Sequence, residues 1–278
     1  VSLWKKTSVL AVAGLTALAL TACGGAKSGG DEQAPPSVLQ LLVSDIKGSL
    51  QKTIETTDTS DSVTVTMRGT VAGESVSTQG VIDLRGPVKA ELTTEVADGN
   101  AMIVRMIDGV VYVEIPAEER AELGGKRWMK VDLDAVGAQA GMDFSKQLED
   151  VDPTKQVKTL LSSEGVTVVG EETLDGTSTV HYTVTTPLAT HLEQVDAALR
   201  SEVEKQLAAQ GVEDVTIDLW VDEQYRPRRA GVVMGTMAQT TVDYTDYGKP
   251  VEIETPPAAE TVDFADMLQG LKELPVTS

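Results

Sequence analysis

From Ser62 to Ile115 the chain alternates apolar and polar residues with a period of two, and turn chemistry interrupts the pattern at short intervals. Val63, Val65 and Met67 alternate with Thr64, Thr66 and Arg68, and Ile82 and Leu84 resume the pattern. Val88, Ala90, Leu92, Thr94 and Val96 then face away from Lys89, Glu91, Thr93 and Glu95. Met102, Val104 and Met106 follow, and after them Val111, Val113 and Ile115. Side chains of a strand point alternately to its two faces, so this spacing predicts strands with one apolar face. The breaks are Ala72-Gly73, Arg85-Gly86-Pro87, Asp98-Gly99-Asn100 and Asp108-Gly109. Such short turns join antiparallel neighbours, which gives a meander.

The pattern extends further. Lys126–Leu133 predicts a strand with Trp128 and Met129 on opposite faces. Val166–Glu172 and Thr177–Thr186 form a pair joined at Asp175-Gly176. Val215–Asp222, Arg228–Thr236 and Ala238–Asp246 complete about eleven strands. Helical spacing appears in Ser37–Thr57 (Val38, Leu41, Leu42, Ile46, Leu50, Ile54), with Ser37 as N-cap and Gly48 as a weak interior position. Met142–Glu149 reads as helical, and Asp152-Pro153-Thr154 starts a further helix carrying Val157, Leu160 and Leu161. Leu188–Gln210 reads as one long amphipathic helix ending at Gly211. A short helix is expected around Phe264–Leu271. The fold class is therefore α+β, a large curved antiparallel sheet whose apolar face is covered by helices.

The N-terminus carries a different signal. Lys5 and Lys6 precede an apolar run from Val9 to Leu20, too short to cross a bilayer, which needs about 20 apolar residues. Leu20-Thr21-Ala22-Cys23 closes it. Small residues before a cysteine, directly after an apolar core, form a lipobox, whose Cys takes a diacylglyceryl group. The expected organisation is a signal peptide over 1–22, a lipidated Cys23 with a Gly/Ser-rich tether over 23–36, and a single domain over 37–278. Loss of Lys5 and Lys6 with the leader takes the formal charge from −20 to −22. Nucleic-acid phosphates and anionic headgroups both repel such a surface, so no nucleic acid partner is expected and the lipid anchor holds the chain at the extracytoplasmic face of the cell membrane.

Catalytic patterns are scarce. Cys23 is the only cysteine, and His181 and His191 are the only histidines. There is no Gly-x-Ser-x-Gly elbow and no His-Glu-x-x-His, and Gly124-Gly125-Lys126 is too short for a phosphate loop. The acidic runs Asp132/Asp134 and Glu149/Asp150/Asp152 read as solvated or helix-capping charge rather than a cation site. Neither histidine has a partner set legible in sequence, and both read as structural or solvated. No catalytic residue, metal or cofactor is assigned, and the expectation is a protein that is not an enzyme.

Several segments resemble the LppX/LprG family of actinobacterial lipoproteins. They are the lipobox, Asp152-Pro153-Thr154 with Lys158-Thr159-Leu160-Leu161, and Val168-Val169-Gly170-Glu171-Glu172 with Asp175-Gly176 and His181-Tyr182. Asp218-Leu219-Trp220-Val221-Asp222 with Pro227-Arg228-Arg229, and Asp243–Val251, extend the likeness over most of the chain. The resemblance implies a U-shaped half-barrel similar to the LolA/LolB carriers, enclosing an apolar cavity for an acylated lipid or glycolipid and serving envelope lipid transport. The wall residues expected on that basis are Leu92, Met102, Val104, Val111, Val113, Ile217 and Leu219 from the sheet, and Leu192, Val195 and Leu199 from the long helix. Six of the eight methionines lie in the strand regions, and Met adapts to apolar partners of varied shape. A monomer is expected. The same residues fit a filled core, so a ligand-free envelope scaffold stands as the alternative, and an envelope enzyme with an acid pair as a third.

Overall fold

The computed structural model describes residues 36–95, 101–133, 152–192 and 197–267, all within the unit Pro36–Ser278. The eleven expected strands are all present: β1 (Ser62–Val71), β2 (Glu74–Asp83), β3 (Lys89–Glu95), β4 (Ala101–Ile107), β5 (Val110–Glu114), β6 (Trp128–Asp132), β7 (Thr167–Leu174), β8 (Thr177–Pro187), β9 (Asp214–Asp222), β10 (Pro227–Met234) and β11 (Ala238–Thr245). A twelfth, β12 (Thr261–Asp263), pairs in parallel with β6. Together they form one open, curved sheet in the order β12-β6-β5-β4-β3-β2-β1-β11-β10-β9-β8-β7. Asp108-Gly109 and Asp175-Gly176 turn their hairpins with both residues at positive φ, the conformation that suits the twist of the flanking strands.

Helices α1 (Val38–Ser44) and α2 (Ile46–Asp58) replace the single helix expected over Ser37–Thr57. The break is Asp45. Its backbone closes α1 on Leu41 O, and its carboxylate accepts the Gly48 N–H at 3.0 Å to start α2. α3 (Thr154–Ser162) begins at the expected Asp-Pro-Thr, where the Asp152 carboxylate accepts from the Thr154 N–H at 2.8 Å and from Lys158 Nζ at 3.0 Å. The stretch expected as one helix over Leu188–Gln210 holds two, α4 (Leu188–His191) and α5 (Ala197–Ala209). Leu192 closes α4 with φ −83° and ψ −4°, and the remaining link, 193–196, lies outside the described residues. The helix expected over Met142–Glu149 also lies outside them.

Register makes one face of the sheet continuous. Met129, Val113, Val104, Leu92, Gly80, Val65 and Tyr244 are successive cross-strand partners from β6 to β11. Partners directly opposite in an antiparallel pair point to the same side. On β8 to β10 that side carries Tyr182, Leu219 and Ala230, again partners in register. Over this second half the face is sealed: Val63, Ile82, Val180, Tyr182, Leu219 and Val221 pack in one cluster with Leu42, Leu50, Val157 and Leu160 from α1, α2 and α3. The Tyr182 hydroxyl donates to Leu42 O at 2.8 Å and so satisfies an end carbonyl of α1 inside the core.

The opposite face of β2 to β6 carries a smaller cluster, Ile107, Tyr112, Trp128 and Ile253. Ile253 comes from a C-terminal strap that crosses this face. Arg85 donates to Val251 O at 3.0 Å, Arg105 to Glu254 O at 2.9 Å and Lys126 to Ala259 O at 2.7 Å before the chain adds β12 to the sheet edge.

Candidate functional site

The apolar face divides into two halves of unequal burial. Beneath α1, α2 and α3 it is closed, with Ile217 3% and Leu219 0% exposed. On β3 to β6 the same face is half-buried at Leu92, Val104, Met106, Val111, Val113, Met129 and Val131. Leu92 and Met106 touch the edge of the sealed cluster, whereas Val104, Val111 and Val113 belong to neither cluster among the described residues. Thr78 and Thr94, cross-strand partners on this face, bond each other through their hydroxyls at 2.9 Å. The polar atoms present are thus partly satisfied within the face.

A cleft of about 530 Å³ opens at the end of this half, lined by Met102, Val113, Ile115 and the loop Pro116–Arg120. Arg120 and Arg127 both bond Glu114 Oε1 at 2.9 Å and fix the loop against β5. Met102 is 38% exposed at the rim. The volume is within the range of small-molecule sites, about 300–1,000 Å³.

Of the sheet residues expected to line a cavity, the structure brings together Leu92, Met102, Val104, Val111 and Val113. It places Ile217 and Leu219 on the same face but under the helices. Leu192 is 6% exposed and belongs to the sealed cluster. Val195 lies outside the described residues, as does the side chain of Leu199 on α5. The expected lipid anchor Cys23 also lies outside them. Sequence reasoning passed over Met106, Met129 and Val131 as lining, although register places them beside the others. The signal for them was present, since the period-two pattern runs unbroken through Met106 and Val131.

Among the described residues, two other concavities border α3. One, of about 350 Å³, is lined by Ile46, Leu50, Leu160, Leu161 and Val166, with Lys47 and Glu164 at its walls. The other, of about 700 Å³, is polar and bounded by Lys155, Thr159, Thr185, Thr186 and His191. Thr186 Oγ1 stands 2.6 Å from His191 Nε2, and burial lowers the pKa of this imidazole. His181 is on the solvent side of β8. Its Nδ1 lies 2.9 Å from Glu172 Oε1 and its Nε2 2.9 Å from Asp218 Oδ1, and the ring stacks on Trp220 with centroids 4.0 Å apart. Trp220 Nε1–H donates to Glu172 at 2.8 Å, and this bond and the His181 contact hold the Glu172 carboxyl below its ordinary pKa. Both nitrogens of the His181 ring and the face stacked on Trp220 are committed to neighbours, so the group ties β7, β8 and β9 together on their outer side. Among the described residues no group of three or more His, Cys, Asp or Glu is placed to hold a metal ion. No described helix is long and apolar enough to cross a membrane.

No family model matches the chain. It is 27% identical over 247 residues to an uncharacterised 31.2 kDa protein of Streptomyces griseus encoded between rplA and rplJ, covering 85% of this chain and 81% of that one. It is 34% identical over 175 residues to a Streptomyces coelicolor protein named as a candidate lipoprotein, covering 60% of this chain and 53% of the other. Among solved structures it is similar to the Mycobacterium tuberculosis lipoprotein LppX, with a TM-score of 0.48 and 16% identity over 75% of this chain and 98% of that one. It is also similar to LprF from Mycobacterium bovis, with a TM-score of 0.49 and 16% identity over 76% and 97% of the two chains.

Proposed function

We propose that the chain is an extracytoplasmic lipoprotein of the LppX/LprG type, anchored through Cys23, that holds the acyl chains of a lipid or glycolipid on the apolar face of β3 to β6. The observation that carries this reading is the unequal burial of one continuous face. Where α1, α2 and α3 lie, the face is packed shut. Beyond them, Leu92, Val104, Val111 and Val113 form an apolar strip that stays half-buried and ends at the cleft rimmed by Met102.

An acyl chain laid along this strip would leave water at a gain of about 0.8 kcal/mol per buried methylene. Met102, Met106 and Met129 adapt their side chains to such a partner without fixed shape requirements. The function needs no bond-making step, only a face whose apolar area is withheld from the protein's own core. Anchorage is supported by the lipobox in the sequence and by the name of the S. coelicolor relative.

The reading is tested by native mass spectrometry and solvent extraction of the mature chain purified from an envelope lipid background. Release of an acyl lipid on denaturation, in a fixed ratio to protein, is the expected result. A bare protein mass that stays bare after incubation with diverse acyl lipids would replace this reading with a ligand-free envelope scaffold.

A further inference from the structure

Helix α3 has two unlike sides. Val157 and Leu160 go into the sealed core. Lys155, Thr159 and Ser162, at i, i+4 and i+7, form a polar stripe on the opposite side. That stripe is one wall of the polar concavity of about 700 Å³, and the end of β8 with Thr186 and helix α4 with His191 form the other. The hydroxyls of the first wall are all held in one sense. Thr159 Oγ1 donates to Lys155 O at 3.0 Å, Ser162 Oγ to Thr159 O at 3.0 Å and Ser163 Oγ to Thr159 O at 2.7 Å. A hydroxyl has one proton and two lone pairs, so these three oxygens have spent their protons on the helix backbone and keep acceptor capacity. Across the concavity, Thr186 Oγ1 and His191 Nε2 share a hydrogen bond of 2.6 Å, and burial pushes His191 toward its neutral form. Among the described lining residues the formal charges are those of Lys155 and Glu164, which cancel.

We propose that this concavity binds a neutral polyhydroxylated ring, that is, a saccharide. A row of acceptor oxygens calls for a ligand rich in O–H donors, and a sugar presents several on one ring. Phosphate and carboxylate groups carry lone pairs and no proton, so they would meet the lone pairs of Thr159, Ser162 and Ser163. An apolar ligand would cover these oxygens without bonding them, at a cost. The volume is within the range of small-molecule sites. The site goes beyond the acyl-chain reading above, because none of its lining residues belongs to the strip on β3 to β6. The ring can arrive as a free saccharide or as the sugar head of a glycolipid. The apolar cleft of Ile46, Leu50, Leu160 and Leu161 shares Ser163 and Glu164 with the polar concavity, so a short tail attached to the sugar has a neighbouring place to go. Its contribution to binding distinguishes the two sources.

The test is saturation-transfer NMR on the chain from residue 23 to its end, carrying Cys23→Ser so that no vesicle is needed. The probes are methyl glucoside, methyl mannoside, methyl galactoside and myo-inositol, with inorganic phosphate as competitor. The expected result is saturable transfer to at least one of these rings that phosphate at equal concentration does not displace. Thr159→Val conserves shape and removes one acceptor, and it should weaken binding about fivefold. Ser162→Ala, at an exposed position, should act in the same direction and decides the matter if Thr159→Val lowers the melting temperature. The butyl glycoside of the bound sugar then separates the sources: equal affinity with the methyl glycoside assigns a free saccharide, and tighter binding assigns a glycolipid head. Absence of transfer to every probe, displacement by phosphate, or parent-like binding in both folded variants would overturn the proposal. None of these outcomes depends on whether the β3 to β6 strip holds an acyl chain.

Discussion

The Asp45 carboxylate caps α2 by occupying the space that a side chain at residue 48 would need: it accepts the Gly48 N–H at 3.0 Å, and a Cβ on Gly48 would lie 2.2 Å from its Oδ2. Glycine is thus required by the cap, although it is an unfavourable helix residue on propensity alone. Gly48→Ala should gain up to about 1 kcal/mol from propensity. It should lose about the same when Asp45 swings away from the helix end. The expected outcome in denaturant unfolding is no net stabilisation. A clear gain of about 1 kcal/mol would show that the cap contributes little.

Tyr182 predicts a larger cost for a smaller change. Its hydroxyl is the partner of Leu42 O, and the residue is 0% exposed. Tyr182→Phe keeps the ring but strands a buried carbonyl, which costs about 1–3 kcal/mol. For a domain of this size, each kcal/mol corresponds to a fall of about 2–4 °C in melting temperature. An unchanged melting temperature would mean that water or another donor replaces the hydroxyl.

The Glu172 group predicts a dependence on pH. Trp220 and His181 hold the Glu172 carboxyl below its ordinary value near 4.5. A carboxyl whose pKa is lowered by folding contributes stability that is full above its unfolded pKa and is lost as pH falls through the folded one. With its side chain 41% exposed, the contribution is at most about 1 kcal/mol. Glu172→Gln should therefore be less stable than the parent at pH 7, with the difference shrinking as pH is lowered below 4.5. A difference that stays constant across that range would assign the loss to geometry rather than charge.

The strap predicts local loosening without global unfolding. Arg105 bonds Glu254 O, pairs with Glu91 and lies over the Trp128 ring at 4.9 Å. Arg105→Gln should raise amide hydrogen exchange in 251–263 while leaving β8 and β9 protected. Uniform acceleration across the sheet would show that the strap is part of the global folding unit.

The strands were legible in the sequence because each carries its own period-two record and because dipeptides such as Asp108-Gly109 end them chemically. The break between α1 and α2 was not, since Val38, Leu42 and Ile46 keep helical spacing straight through Asp45. β12 was hidden because Thr261–Asp263 is too short to show a period, and its pairing with β6 is set by the strap rather than by local sequence. The division of the apolar face was also hidden. Leu92 in Glu91-Leu92-Thr93 and Leu219 in Asp218-Leu219-Trp220 have the same local pattern, yet one is half-buried and the other sealed. Only the position of the helices separates them.

The β3 to β6 half of this face is proposed to take an acyl chain, and Val104, between Leu92 and Val113 in register, is its midpoint. The most direct measurement is the lipid-to-protein ratio, by native mass spectrometry, of the parent chain and of Val104→Trp, which fills the strip without touching the sealed core. A marked fall in bound lipid is expected for Val104→Trp, with the melting temperature nearly unchanged. Full lipid occupancy in a stably folded Val104→Trp protein would contradict it.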